Sequence, residues 1–197
     1  MMISNNLFSL ESKTALVTGG STGLGLMATA GLAAAGAKVF IVSRKLENCE
    51  KAANKINNCN FKGQVFPFKG DLSSEAGISN IVDELHKKNS ELHVLVNNAG
   101  RTWGSNFGSF PYDAWEKVLN LNVSALFHLT QKLVPLLAAS AEQDSPTRVI
   151  NIGSVMGEVP MGDGAYSYAA SKSAVHHITK ILAKELAEKN ITVNALS

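Results

Sequence analysis

Cysteine is nearly absent from this chain of 197 residues: only Cys49 and Cys59 occur. They stand ten positions apart with no histidine cluster beside them, which argues against a disulfide framework and against a zinc or other metal site. A reducing, cytoplasmic setting is the matching expectation. Net charge is scarce as well. Eighteen Lys and Arg against sixteen Asp and Glu leave a formal +2, too little to argue for a nucleic-acid or membrane-surface partner. Nowhere do about 18 apolar residues run together, so no membrane-spanning helix is expected. Met1–Leu10 lacks the basic start and long apolar centre of a secretory signal. Internal repeats, low-complexity tracts and linkers are missing too. What is present is 45% hydrophobic and 17% charged sequence with 16 glycines, the make-up of an α/β protein long enough for one domain with a sizeable core.

Apolar, β-rich runs alternate with helix-like segments. The runs are Thr14–Thr18, Lys38–Ser43, Gln64–Phe68, His93–Asn97, Arg148–Gly153 and Ile191–Leu196; helical patterns lie between them at Gly23–Ala35, Leu46–Asn57, Ser74–Asn89, Pro111–Ala141 and Ala165–Asn190. Gln143–Thr147 reads as a surface loop. Runs that are apolar throughout, such as Val94-Leu95-Val96, predict strands buried on both faces. Regular β-α alternation then predicts a parallel, doubly wound sheet between two helical layers, a Rossmann-type α/β fold with right-handed crossovers. Ligands of such sheets bind beyond the carboxyl ends of the strands. Gly19, Asp71, Asn98 and Ser154 each follow a strand run and should gather there.

Two motifs carry chemistry. Thr18-Gly19-Gly20-Ser21-Thr22-Gly23-Leu24-Gly25 links a strand run to a helix run. Glycines there permit positive φ and close approach of backbone N–H groups to phosphates, and the helix N-terminus favours an anion. The second strand run ends in Ser43-Arg44. Roughly 20 residues beyond the turn, an acid suits the ribose hydroxyls of NAD and an arginine suits a 2′-phosphate. Arg44 therefore favours NADP(H) over NAD(H), and Glu47, the nearest carboxylate, lies a turn too late. Far downstream, Tyr168 and Lys172 stand at i and i+4, on one face of a helix. An ammonium so placed stabilises a tyrosinate and makes the phenol a proton donor and acceptor near neutral pH.

With Asp71, Asn97-Asn98-Ala99-Gly100, Asn122 and Ser154 in the same order, the chain resembles the short-chain dehydrogenase/reductase family across its length. Asn98-Ala99-Gly100-x-x-Trp103-Gly104, Arg148–Val155 and Tyr166–Lys172 resemble the rhamnolipid-type 3-oxoacyl-[acyl-carrier-protein] reductases and their fungal relatives. The resemblance implies that Tyr168 is the general acid in reduction, that Lys172 lowers its pKa and holds the nicotinamide ribose, and that Ser154 polarises the substrate carbonyl. It implies a proton path through a water held at the helix carrying Asn122. Cofactor contacts would come from Thr18, Gly19, Ser21, Thr22, Gly23, Leu24, Gly25, Ser43, Arg44, Asp71, Leu72, Asn98, Ala99, Gly100, Tyr168 and Lys172. Asp71 would bind the adenine amine and Asn98 would lie against the adenosine ribose.

Each residue also has a plainer reading: Ser154 as a turn or cap serine, Asp71 as a helix cap, Asn122 as a buried asparagine bonded to backbone, Lys172 as a solvated lysine. Tyr166 has Ala170 as its i+4 partner and reads as packing or as a substrate wall. His176 and His177 are adjacent and point to different helix faces, so neither is given a metal or catalytic role. Broad apolar stripes at Val118, Leu121, Leu126, Leu129, Leu133, Leu136 and Leu137, and at Ala174, Val175, Ile178, Ile181, Leu182 and Leu186, fit a homodimer or homotetramer interface by resemblance, or simple core packing. The family resemblance further implies a seventh strand and a substrate lid beyond Ser197, so residues 1–197 read as the dinucleotide-binding domain with the catalytic residues. The expected activity is NADP(H)-dependent reduction of a 3-oxoacyl-like ketone. An alcohol or hydroxysteroid-like dehydrogenase, or a dinucleotide-binding form of impaired turnover, are the alternatives.

Overall fold

The computed structural model describes residues 8–162 and 164–197, so the reading of Met1–Leu10 falls largely outside the described residues. The elements are β1 (Thr14–Thr18), α1 (Gly23–Ala34), β2 (Lys38–Ser43), α2 (Leu46–Asn57), β3 (Gln64–Lys69), α3 (Glu75–Lys88), β4 (Val94–Asn97), α4 (Tyr112–Leu119), α5 (Ala125–Ala139), β5 (Thr147–Ile152), α6 (Tyr166–Leu186) and β6 (Ile191–Leu196). All six strands form one parallel sheet in the order β3-β2-β1-β4-β5-β6.

The two faces of the sheet bury different halves of each strand. Ala15, Val17, Val39, Ile41, Val94 and Val96 pack with Ala33 of α1 and with Cys49, Ala52, Ala53 and Ile56 of α2. The intervening residues Leu16, Phe40, Val42, Leu95, Val149 and Val193 pack with α3, α5 and α6. The helices meet the sheet with stripes at helical spacing, as in Ile78, Ile81, Val82 and Leu85 of α3. Ser74 caps α3 by accepting a hydrogen bond from the Gly77 amide at 3.1 Å, so the cap is Ser74 and not Asp71. Pro67 lies in β3, an edge strand where a missing ladder donor is tolerated.

Several boundaries differ from the sequence reading. Thr147 belongs to β5 and Gly153 lies beyond it. The helical pattern over 111–141 divides into α4 and α5, joined by a π-helical turn at Asn120–Ser124. The last helical pattern closes with a 3₁₀ turn at Ala187–Lys189 and the left-handed residue Asn190, φ 54°, a common way to end a helix. The leucine stripe of α5 is consumed by the core: Leu129, Leu133 and Leu137 are wholly buried. In α6, Val175, Leu182 and Leu186 are buried and Ile181 stays 48% exposed. Among the described residues no helix is long and apolar enough to cross a membrane.

The chain winds from β1 outward through β2 to β3, then returns to place β4 on the other side of β1. A sheet reversing direction there opens a crevice at the carboxyl ends of β1 and β4.

Candidate active site

A cleft of about 690 Å³ occupies that crevice. Gly19, Ser21 and Thr22 from the turn after β1, Ser43 and Arg44 after β2, Asp71 and Leu72 after β3, and Asn98, Ala99 and Gly100 after β4 all line it. The remaining turn residues act from behind this lining. Gly19 and Gly23 have positive φ, 63° and 53°, which suits glycine. Gly25 is needed for close packing: a Cβ there would collide with the Gly19 carbonyl oxygen and the Asn98 amide nitrogen. Leu24 is exposed at the start of α1. Thr18 is buried, and its hydroxyl donates to the Val96 carbonyl and accepts from the Asn98 and Ala99 amides, the last two at 3.0 Å. Asn98 Nδ2 donates back to the carbonyls of Thr18 and Gly19, at 2.9 and 3.2 Å. The two loops that frame the cleft are thus stitched to each other.

The cleft is electropositive. Arg44, Lys45, Arg101 and Lys117 line it, and among the described residues Asp71 is the one carboxylate on its wall. Lys117 pairs with Asp113 at 2.5 Å. The Ser73 amide donates to Asp71 and holds its carboxyl below the ordinary carboxylate value, with Arg44 and Arg101 adding to the effect. Ser43 is engaged locally, donating to the Lys45 carbonyl at 3.1 Å. Glu47 is not among the cleft residues. A crevice with two positive-φ glycines, unobstructed space around Gly23, and cations at one end has the donor set that a dinucleotide carrying an extra phosphate requires.

Beyond the cleft lies the second group. Tyr168 and Lys172 follow each other by one turn in α6, with Lys172 Nζ 5.5 Å from the Tyr168 ring centre. Lys172 is buried, 6% exposed, and donates to the Ile152 carbonyl at 2.5 Å. Burial pushes its pKa down to about 8. Ser154 follows β5, and its hydroxyl accepts from the Met156 amide at 3.3 Å while opening a 3₁₀ turn. Asn122 is buried in the π-helical turn, where Oδ1 accepts from the Arg101 amide and Nδ2 donates to the Arg101 carbonyl and to Ser171 Oγ, all at 2.9 Å. Tyr166, 40% exposed, meets Phe107 and Phe110 edge-to-face at 5.8 and 5.7 Å and borders an outer cavity of about 550 Å³ with Ser105, Asn106 and Phe107.

Several residues escaped the sequence reading. Arg101, Lys117 and Asn120 reach the cleft from loops and helices with no motif of their own. A buried polar chain lies beneath the site: Asn97 Nδ2 donates to Thr130 Oγ1 and Asn151 Oδ1, and Asn151 Nδ2 donates to Thr179 Oγ1, each at 2.9 Å. Asn97 and Asn151 are register partners in β4 and β5, a pairing that only the sheet order reveals. His176 stands directly behind Ser154, its Nε2 accepting from the Ser154 amide at 3.3 Å.

Known proteins resemble this chain in sequence and fold. The family described as short chain dehydrogenase matches residues 13–197. A rhamnolipids biosynthesis 3-oxoacyl-[acyl-carrier-protein] reductase of Pseudomonas aeruginosa is 46% identical over 190 residues, covering 96% of this chain and 73% of that protein. The fungal short-chain dehydrogenase/reductase PhomF of Diaporthe leptostromiformis is 31% identical over 216 residues, covering 100% of this chain and 72% of its own length. Among solved structures, the Pseudomonas aeruginosa RhlG/NADP active-site complex superposes with a TM-score of 0.90 at 47% identity, over 95% of this chain and 72% of the other. With its parallel sheet, its glycine turn and its tyrosine and lysine one turn apart, the chain belongs to the short-chain dehydrogenase family of oxidoreductases.

Proposed function

We propose that this chain is an NADP(H)-dependent reductase that converts a ketone of the 3-oxoacyl thioester type to a secondary alcohol. The observation that carries the reading is that Lys172, one turn after Tyr168 on α6 and close to its ring, grips the end of β5 two residues before Ser154, while Arg44 lines the crevice at the carboxyl ends of β1 and β4. The Pseudomonas reductase and the NADP complex described above support the substrate class and the cofactor.

The adenosine end would be held by Asp71, Leu72 and the Asn98–Gly100 backbone, the 2′-phosphate by Arg44, and the pyrophosphate by the turn from Gly19 to Gly25. When bound, the reduced nicotinamide supplies a hydride to the carbonyl carbon. Ser154 donates a hydrogen bond to the carbonyl oxygen and so steadies the charge that develops there. Tyr168 delivers its phenolic proton to that oxygen. Lys172 places an ammonium beside the ring, which favours negative charge on the phenol oxygen as the proton leaves. Asn122 fixes the loop after β4 against the first turns of α6, and so holds the cofactor side and the proton-donor side in register.

The exposed rings of Phe107 and Tyr166 line the outer cavity, with Trp115 edge-to-face against Phe110 beside Tyr166; this apolar surface suits an acyl chain and equally a flat alicyclic ketone. That surface is the reason to retain an alcohol or hydroxysteroid-like dehydrogenase as the second reading. A cytoplasmic homodimer or homotetramer goes with either reading; the half-exposed Ile181 marks the part of the α6 stripe left for such a contact. Spectrophotometric NADPH and NADH oxidation with 3-oxoacyl thioesters, simple ketones and steroid ketones tests the proposal. Turnover restricted to the thioesters supports it, preference for the cyclic ketones favours the second reading, and none with any ketone rejects both.

A further inference from the structure

We propose that His176 is a positioning residue for Ser154, fixing the place of the carbonyl-binding hydroxyl from behind. The proposal rests on the reading of Ser154 given above.

His176 lies one turn beyond Lys172 on α6, so Tyr168, Lys172 and His176 share one face at i, i+4 and i+8. The lower two of these residues both grip the carboxyl end of β5. Lys172 donates to the Ile152 carbonyl, and His176 accepts from the Ser154 amide. Two successive turns of the helix therefore hold successive parts of the segment that presents Ser154.

The segment is shaped around the imidazole. A Cβ at Gly153 would collide with His176 Nε2, and one at Gly157 would stand 2.9 Å from Cε1 and 3.0 Å from Nδ1. Both glycines that flank Ser154 leave room for this ring. The His176 side chain is 11% exposed. The hydrogen-bond roles also follow. A backbone N–H is only a donor, so Nε2 must be the accepting nitrogen and the ring proton resides on Nδ1. Nδ1 is buried and faces Glu158 Oε1 at 3.3 Å without completing a hydrogen bond. The carboxylate favours the proton on that side. Ser197 Oγ also lies 3.1 Å from Nε2. His177, the neighbouring histidine, is exposed.

A ring that only filled space would be replaceable by an apolar side chain of similar size. A ring that accepts from the Ser154 amide is replaceable only by another acceptor. His176→Leu removes the acceptor, and His176→Gln retains one. With NADPH and whichever ketone the protein turns over, His176→Leu should lower kcat about 10- to 100-fold, the scale of a small misplacement of a reacting group. The KM for NADPH should stay close to that of the parent, and His176→Gln should recover most of the lost kcat. In a Ser154→Ala background His176→Leu should cost little more, because the two act as one unit. His176→Met serves as a second apolar replacement if the leucine variant does not fold. Parent-like kcat in the apolar variants, no rescue by glutamine, or a full further loss in the Ser154→Ala background would each overturn the proposal. If the parent turns over no ketone, the functional reading fails separately. Amide hydrogen exchange then decides the positioning role: faster exchange at Ser154 in His176→Leu, restored in His176→Gln, supports it, and equal exchange in all three sinks it.

Discussion

Asn122 clasps Arg101 by both of its backbone polar groups, accepting from the amide and donating to the carbonyl at 2.9 Å each. The same Nδ2 reaches Ser171 Oγ, which in turn donates to the Tyr168 carbonyl at 2.7 Å. One side chain in a π-helical turn therefore connects the loop after β4 to the turn of α6 that carries Tyr168. Asn122→Leu keeps the size and leaves these groups without their partner. A loss of about 1–3 kcal/mol in folding stability is expected for each buried group left unsatisfied. Urea unfolding measures it, and a variant as stable as the parent would show that the clasp contributes nothing.

Arg44 lines the cleft, and the proposed function makes it the residue that selects the cofactor. Arg44→Asp should weaken NADPH binding by about 1.5–3 kcal/mol, the range of a hydrogen bond to a charged group, and should leave NADH binding unchanged or improved. Fluorescence titration with both nucleotides provides the check. Equal affinity for the two in the parent protein would remove the basis for assigning NADP(H).

Tyr168 and Tyr166 stand two positions apart, with Ser167 between them, and differ in surroundings. Tyr168 has Lys172 beside its ring, whereas Tyr166 meets Phe107 and Phe110. Tyr168→Phe should bind nucleotide normally and lose ketone reduction by about 10²-fold or more, the contribution of a positioned acid. Tyr166→Phe should change mainly the KM for substrate. Equal losses of kcat in the two variants would contradict the assignment of the acid.

Glycines of the first crossover are not equivalent. Gly25→Ala drives a methyl group into the Gly19 carbonyl oxygen and should destroy nucleotide binding. Gly31, on the exposed side of α1, has no atom within 4 Å of the added Cβ. Gly31→Ala should raise stability by about 0.4–1 kcal/mol by narrowing the unfolded ensemble. Thermal melts with and without NADPH separate the effects; a Gly25→Ala protein still stabilised by NADPH would show that the close packing is dispensable.

Burial lowers the pKa of Lys172 from 10.5 to about 8. Below pH 8 the residue is protonated in both the folded and unfolded chain. Between pH 8 and 10.5 the unfolded chain holds more protons, so stability contributed by this group rises with pH across that window. The full rise is on the order of 3 kcal/mol. Lys172→Met should flatten it and be the more stable protein at pH 7. Urea midpoints of both proteins at pH 7.5 and pH 10 report the difference; the same pH dependence in each would mean that the lysine is not desolvated.

Much of this was visible in the residues themselves. The central strands β1, β2 and β4 were legible because parallel strands buried on both faces are apolar along their length, as in Val94-Leu95-Val96. The glycine turn and the pair Tyr168 and Lys172 were legible because their spacing is itself the chemistry. The reading of Asn122 as a buried asparagine bonded to backbone was legible, but the π-helical turn around it was not, since no local pattern encodes its bonds to Arg101 and Ser171. The α5 stripe read as wider than one sheet face needs; in the folded chain Leu129, Leu133 and Leu137 are all wholly buried in the core. The adjacency of His176 and His177 correctly placed them on different faces. Which face met Ser154 depended on where the loop after β5 lies, and that is set by the whole sheet.

The central position of β1 has a consequence for how the chain is made. Val17 pairs with Ile41 on one side and with Val96 on the other. During synthesis the β1-β2-β3 half emerges first, and β1 then waits with an unpaired inner edge until β4 leaves the ribosome. An open, apolar strand edge is the surface through which nascent chains associate wrongly. The interval between translation of Thr18 and of Asn97 is therefore the vulnerable period in the birth of this protein, and slower elongation across residues 19–97 should raise its demand for chaperones.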